Sequence, residues 1–442
     1  MTVERPNVVL VHSHDLGRHV GTYGRGVDTP NLDALAGEGA VFENHFVTAP
    51  QCSPSRGSLH TGCYPHANGL MGLAHHGWEL DDDVAAMPQL LADAGYETHL
   101  FGLQHVTEDP RSVGFQHDHT TWRVKPSAAA LLDDTRARSV ADTVETFLEA
   151  DGYTEPFFAS VGFFEAHRID VDGLFRFDDG SYDPPDPEDV DCPPFLPDRP
   201  GVREDLAELA GMVAAIDDAV GRIVDALDDN GLREDTLVLF TTEHGIAFPR
   251  AKGSCYDSGI EAALVARLPG VVDAGRRYDE LVSNVDVLPT VLDLVDAAHP
   301  GDADGRSFLP LFTDQEYLSR DQVFAELTWH DRYNPIRAVR TDRYKYVRNF
   351  WHLPTVTLTT DVFVSRAGRE VREQYYAADR PYEELYDLES DPSESTNLAT
   401  EPAYESVRAE LEERLVAWMR RTDDPLLDGP VPPADMAAIE PW

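Results

Sequence analysis

The chain has 442 residues, with 80 Asp+Glu against 36 Lys+Arg and a formal net charge of −44 at pH 7. A surface this acidic repels phosphate backbones and anionic lipid, which argues against nucleic-acid and membrane-surface roles. Hydrophobic residues make up 42 % of the chain, too many for an acidic disordered tail. A folded chain of this length buries roughly three quarters of its unfolded surface, enough for a large core.

Lysine occurs only at 125, 252 and 345, so 33 of the 36 basic residues are Arg. Heavy acidity with so little Lys predicts adaptation to concentrated salt, where the Debye length falls to about 3 Å at 1 M and like charges are screened. Cys52, Cys63, Cys192 and Cys255 form no CxxC pair and no zinc spacing, and they are too sparse for a disulfide scaffold. The first six residues run straight into an apolar strand without a basic or long apolar leader, and no apolar run approaches the roughly 20 residues of a membrane helix. The expectation is a cytoplasmic protein.

Taken in chain order, residues 7–11 (NVVLV) read as a buried strand and 29–38 as the helix after it. Residues 57–62 are helix-like, 86–94 helical up to Gly95, and 98–102 a strand. An amphipathic helix is predicted over 136–150, a buried strand over 156–164 (PFFASVGFF), and the longest helix over 203–227, closed by Asn230-Gly231. Residues 170–200 are rich in Asp, Pro and Gly and read as an excursion on the surface. A strand follows at 236–242 (TLVLFTT). This alternation predicts an α/β fold, a mostly parallel sheet with helices on both faces. After Phe312 the pattern changes to strands at 323–327, 336–339 and 344–347 and a helix near 406–420. That reads as a smaller antiparallel sheet with a closing helix, dividing the chain into 1–315 and 316–442.

Four of these strands end in residues suited to chemistry. The first runs into His12-Ser13-His14-Asp15, the next into Leu103-Gln104-His105, the third into Glu165-Ala166-His167-Arg168, and the last into Glu243-His244-Gly245. Ligands of open α/β sheets bind outside the carboxyl ends of the strands. Any one such ending is as easily a surface histidine; four at one edge point to a site. Asp15 beside His14, and Glu243 beside His244, suggest a divalent metal held by carboxylates and imidazoles.

Between the first two of these strands lies Cys52-Ser53-Pro54-Ser55-Arg56, which matches the C-x-P-x-R signature of formylglycine-dependent sulfatases. The match extends over residues 6–15, 29–35, 52–69, 102–106, 157–168, 237–259, 282–294, 305–311 and 384–398. The sequence resembles the sulfatase branch of the alkaline-phosphatase-like superfamily, most nearly its heparan N-sulfatase (sulfamidase) relatives. The resemblance implies that fold, with a sulfatase catalytic domain over 1–315 and a C-terminal α+β subdomain over 316–442. It implies that Cys52 is oxidised to formylglycine by a maturation enzyme and becomes the nucleophile, that Arg56 steadies it, and that Lys252 binds the sulfate. His105 matches the histidine of the family's G-K-x-H stretch and His167 that of its P-H pair, with Ala166 in place of the proline.

The resemblance further implies a mechanism. A hydroxyl of the hydrated aldehyde, its ionisation favoured by the metal, attacks sulfur in line while Lys252 and Arg56 offset charge on the sulfuryl oxygens. His105 or His167 protonates the leaving alcohol or amine, and the second hydroxyl then expels sulfate. Three positions depart from the family pattern: His14-Asp15 replaces two aspartates, Glu243-His244 replaces Asp-Asn, and Leu103 replaces a lysine. The family's metal is Ca²⁺, whereas two imidazoles favour Mn²⁺, Zn²⁺ or Fe²⁺. The expected ligands are Asp15, Glu243 and the residue at 52, followed by His14 and His244. An acid-His pair after the later strand also resembles phosphonate monoester hydrolase and phosphodiesterase relatives, so that chemistry on the same site is the alternative, and a catalytically silent family member is a third. His75, His76 and Trp78 are candidates to line the substrate pocket. The expected partner is a small sulfated substrate, a sugar or an aryl compound.

Overall fold

The computed structural model describes residues 5–120, 134–150, 152–313, 315–351, 356–377 and 379–434. Lys125 lies outside the described residues. The strands of the first part are β1 (Asn7–Ser13), β2 (Ala40–Phe46), β3 (Glu97–Gly102), β4 (His117–Asp118), β5 (Phe157–Gly162), β6 (Ile169–Val171), β7 (Leu174–Arg176), β8 (Thr236–Thr242), β9 (Leu264–Arg267) and β10 (Arg276–Ser283). Eight of them form one sheet in the order β10-β2-β9-β8-β1-β5-β3-β4, and β6 pairs with β7 in a separate ribbon. All sheet pairings are parallel except those of β9 with β2 and β8. Every residue of β1, β5 and β8 is buried. Strands covered on both faces lose the apolar-polar alternation, which is why these segments are continuous apolar runs in the sequence.

Successive β1 side chains feed two cores. Val9 and Val11 pack with Val140 and Val144 of the helix Ala137–Glu149 and with Val213 and Ile216 of the helix Pro200–Asp229. On the opposite face, Val8 and Leu10 pack with Leu91 of the helix Met87–Asp93 and Leu288 of the helix Val287–Leu294. At roughly 25 cal/mol per Å², burial on this scale dominates the stabilisation of the sheet.

The second sheet is antiparallel, in the order β11 (Val323–Trp329), β12 (Tyr333–Arg340), β13 (Tyr344–Asn349), β14 (Glu383–Asp387). The segment 384–398 thus begins in this sheet, and it returns to the large one through Glu394, whose carboxylate accepts from Asp257 N at 2.5 Å. One face of the small sheet packs on Phe46, Ile260 and Leu281 at the edge of the large sheet. Its other face is covered by Leu415 and Trp418 of the helix Glu405–Arg421. The two sheets use separate stretches of chain, but the helices do not respect that division. After β13, the helices Thr360–Val364 and Arg366–Ala377 cross back to the large sheet, where Val362 and Ala367 enter its core. Asp205 of the long helix secures them, accepting from Arg366 Nη1 at 3.0 Å and Ala367 N at 3.1 Å.

Three local expectations need correction. The nucleophile helix is Cys52–Thr61 rather than 57–62, because Pro54 falls in the first turn, where its missing N–H costs nothing. The longest helix starts earlier, with Pro200 at its first position, and runs to Asp229. The stretch 170–200 is not purely a surface excursion. Phe177 is fully buried and stacks on Phe248, with the Arg168 guanidinium 4.0 Å from its ring centroid.

Candidate active site

Parallel registration sets the site. β1 and β8 pair from Asn7↔Thr236 to Ser13↔Thr242, so the next residues, His14 and Glu243, emerge side by side. β5 and β3 end level with them, through His12↔Gly162 and Gly102↔Gly162, which delivers His105 and His167 to the same edge. Asp15 and His105 have φ of 40° and 54°, a left-handed conformation uncommon for residues with a Cβ, and the chain turns sharply at both.

Cys52 opens its helix at the centre of this edge, 2 % exposed, with its sulfur 3.6 Å from His244 Nε2. A helix amino terminus favours negative charge there. As a thiol, however, Cys52 is pushed up to about 11, by burial first and then by the Glu243 carboxylate. Arg56, one turn along on the same face, donates through Nε to Glu243 and through Nη1 to Leu103 O at 3.2 Å. Its Nη2 is buried without a partner, a free donor. Position 103, where the resemblance expects a lysine, thus serves the site only through its backbone oxygen.

Lys252 Nζ lies 2.8 Å from Asp15 Oδ2, 2.8 Å from Asp361 Oδ2 and 3.5 Å from His167 Nε2. Burial opposes its charge, but the two carboxylates hold its pKa well above the usual lysine value. Asp15 sits well below the carboxylate range, because Lys252, His167 and His244 outweigh its own burial. His244 Nε2 lies 3.0 Å from Asp15 Oδ1 and 3.3 Å from Glu243 Oε1. Burial disfavours its protonation, yet the adjoining Asp15 carboxylate raises it well above the usual imidazole value. The opposite holds at His14, lowered to about 4 by burial, and at His105, lowered well below the usual imidazole value for the same cause.

The five expected ligand positions therefore converge. One ligand atom each of His14, Asp15, Cys52 and Glu243 lie within 4.8 Å of one another, all buried, and His244 points into the same group. His14 Nε2 has no hydrogen-bond partner, and Asp15 Oδ1 makes none despite the nearby imidazole. A divalent ion fits this donor set.

One neighbour of the site was not legible in the sequence. Asp361, on the short helix Thr360–Val364, pins Lys252 from the C-terminal part of the chain. It is one of 80 acidic residues and follows no strand, so the pattern carries no signal for it. Arg168, fully buried, donates to Ala247 O at 2.9 Å and pairs with Asp205 at 2.9 Å, bracing the loop after Glu243. Of the candidate pocket residues, His75 reaches the site, with Nδ1 3.1 Å from His105 Nε2, and His76 packs on His75 at 4.4 Å between ring centroids. Trp78 does not; it is buried among Leu70, Ala74 and Val106.

Comparison with known proteins yields matches over nearly the whole chain. The sulfatase family matches residues 6–297, and the C-terminal domain of N-sulphoglucosamine sulphohydrolase matches 243–362. Human N-sulphoglucosamine sulphohydrolase is 31% identical, the alignment covering 96% of this chain and 92% of that protein. An ulvan-active sulfatase of Formosa agariphila is 30% identical, covering 95% of this chain and 81% of that protein. Among solved structures, phosphonate monoester hydrolase of Agrobacterium radiobacter superposes with a TM-score of 0.72 at 23% identity, covering 95% of this chain and 96% of that one.

Proposed function

Because the chain belongs to the sulfatase family, we propose that it hydrolyses a sulfate ester or sulfamate of a sulfated sugar or aryl compound, through a formylglycine made from Cys52. The observation that supports this most is the placement of Cys52. It sits at a helix amino terminus, encircled by Asp15, Glu243, His244, Arg56 and Lys252, where a nucleophile, a divalent ion and cationic groups meet. Residues 1–315 form the catalytic domain in this reading, and 316–442 an α+β subdomain that lends Asp361 to it.

Asp15, Glu243, His244 and the residue at 52 would hold the ion, with His14 beside them; Ca²⁺ follows from the family, and Mn²⁺ or Zn²⁺ from the imidazoles. Bound there, the ion supplies Lewis-acid stabilisation and favours an ionised oxygen at position 52. The chain's own groups do the rest. Lys252 and the free Nη2 of Arg56 meet the charge on the sulfuryl oxygens, an interaction worth about 3–4 kcal/mol for each well-aimed donor. His105 and His167 face the ring of His14 at centroid distances of 5.8 and 5.3 Å, and His167 is the one to donate the proton to the leaving oxygen or nitrogen, since burial lowers His105 well below the usual imidazole value.

The test is the mass of the Cys52 peptide from a host with the maturation enzyme, together with sulfate release. The expected result is a peptide lighter by the difference between thiol and aldehyde, sulfate turnover, and none for Cys52→Ala. An unmodified thiol in a protein that turns over sulfate esters would refute the formylglycine route. The Glu243-His244 pair favours one second reading, phosphodiester or phosphonate monoester hydrolysis on the same groups. Faster turnover of an aryl phosphodiester than of the aryl sulfate would establish it.

A further inference from the structure

His14 and His105 share one arrangement, a ring held from its far side with its second nitrogen bare. His14 Nδ1 lies 2.6 Å from Glu243 Oε1, while its Nε2 is buried and bare. His105 Nε2 lies 3.1 Å from His75 Nδ1 across nearly parallel rings, while its Nδ1 is buried and bare. A histidine with one nitrogen held by an outer group and the other free is prepared for a metal, since the outer partner fixes the tautomer and the ring orientation. Cys52 supplies a third donor. One ligand atom each of His14, Cys52 and His105 lie within 4.8 Å of one another, a group that shares His14 and Cys52 with the one that includes Asp15 and Glu243 but draws on His105 in place of the carboxylates.

We propose that the protein with Cys52 unconverted binds a borderline-soft divalent ion, zinc above all, through the Cys52 sulfur and the bare nitrogens of His14 and His105. One sulfur and two imidazoles, with a fourth position open to water, match the donor preference of zinc and not that of calcium or magnesium. Zinc bonds of about 2.3 Å to sulfur and 2.0–2.1 Å to nitrogen draw the three ligand atoms closer than they now stand, within reach of small side-chain shifts. As the sulfur-metal bond forms, the thiol proton leaves to solvent and no electrons are transferred. Glu243 and His75 act as positioning residues, each holding the far side of one imidazole. Conversion of Cys52 exchanges its sulfur for oxygen, so the step that would arm the nucleophile dismantles this site. The inference requires only the thiol form and stands or falls independently of the hydrolytic reading.

The probe is Co²⁺ alone, titrated into metal-free full-length protein whose Cys52 peptide has the mass of the thiol. The expected result is one equivalent bound, with sulfur-to-cobalt charge transfer in the near ultraviolet and the visible bands of four-coordinate cobalt, both displaced by Zn²⁺. Cys52→Ser removes the charge transfer, and His105→Gln removes the four-coordinate bands, while Asp15→Asn retains both. His75→Ala, a surface change that spares the core, weakens binding by about ten- to a hundredfold through loss of the outer partner. No sulfur band in the folded protein overturns the proposal. So does a sulfur band that survives both His105→Gln and His75→Ala undiminished, because the sulfur then serves the Asp15–Glu243 group.

Discussion

The cluster around Arg337 and the centre around Cys52 are built from the same residue types, yet they differ in what is left unpaired. In the first, His66, Glu326 and Asp424 stand close enough to hold a metal, but the buried Arg337 already occupies the space between the acids. Arg337 lies 2.6 Å from Asp424 Oδ2 and 3.0 Å from Glu326 Oε2, and His66 Nδ1 lies 2.8 Å from Glu326 Oε1. The remaining nitrogen of His66 meets Thr422 Oγ1 at 2.7 Å. In the second cluster, His14 Nε2, His105 Nδ1 and Arg56 Nη2 are buried with nothing to bond. A filled network fixes structure, and one with open valences is arranged for a ligand. The first ties the segment after the helix Cys52–Thr61 to the small sheet; the second lies at the strand ends of the large one.

Removing one carboxylate from each cluster separates these roles most widely. Asp15→Ala should remove most bound metal and lower turnover by about 10³-fold or more, the scale of losing preorganised charge in a water-excluded site. Asp424→Ala should leave turnover per folded molecule near that of the wild type. Metal analysis and steady-state rates on both variants decide the matter. Full metal occupancy in Asp15→Ala would end the assignment of this ligand.

The next effect lies in stability and runs the other way. Arg337→Met strands Glu326 and Asp424 in the interior, and breaking a buried ion pair from one side costs about 3–5 kcal/mol. A denaturant midpoint unchanged from wild type would mean that the network contributes nothing. Arg56→Met at the open centre should cost less, because Glu243 keeps His14 at 2.6 Å and His244 at 3.3 Å as partners.

Asp361 tests the boundary between the two clusters' behaviours. Its carboxylate holds Lys252 from one side as Asp15 does from the other, and Asp361→Asn keeps the shape while removing the charge. Turnover should fall roughly tenfold, about 1.4 kcal/mol in the barrier, with metal content unchanged. A loss of metal as large as that of Asp15→Ala would make Asp361 a ligand and not an anchor for Lys252.

What the sequence made legible follows from how local each signal is. β1, β5 and β8 are continuous apolar runs because both their faces are covered, and the residues after them form the site because parallel strands end level. Cys52 and Arg56 were readable because one five-residue signature, Cys52-Ser53-Pro54-Ser55-Arg56, carries both. Asp361 was not, since it arrives on a helix crossing back from the small sheet, a placement that depends on tertiary packing; His75 was readable only as a pocket candidate, and its contact with His105 is made by the short turn that carries it. Phe177 was missed for a related reason. Its Asp- and Gly-rich neighbourhood reads as turns, and the cavity it fills, between Arg168 and Phe248, is made by chain far away in sequence.

The smallest effect comes from a third buried group, which is neither filled like the first nor open like the second, because both its cations engage the same acid. Lys345 Nζ lies between Asp257 and Glu394, 3.0 Å from the latter, and Arg340 is already engaged with Asp257 at 3.3 Å. Asp257 takes most of the benefit and stays well below the carboxylate range, since Lys345 and Arg340 outweigh its burial. Glu394 is pushed up to about 7 from an ordinary value of 4.5, by burial and by the charge of Asp257, with Lys345 only partly offsetting them. Between those two values the native state holds a proton that the unfolded chain has released, so this group's contribution is complete below pH 4.5 and is lost as the pH rises through 7. One titrating group gives a slope of at most about 1.4 kcal/mol per pH unit. Glu394→Gln abolishes the titration, so the stability of the variant relative to the wild type should climb across that window and level off above it. Other carboxylates contribute equally to both proteins and cancel in the difference, which urea midpoints at matched pH measure directly. Parallel curves for the two proteins would show that Lys345 neutralises Glu394 as fully as Arg337 does Asp424.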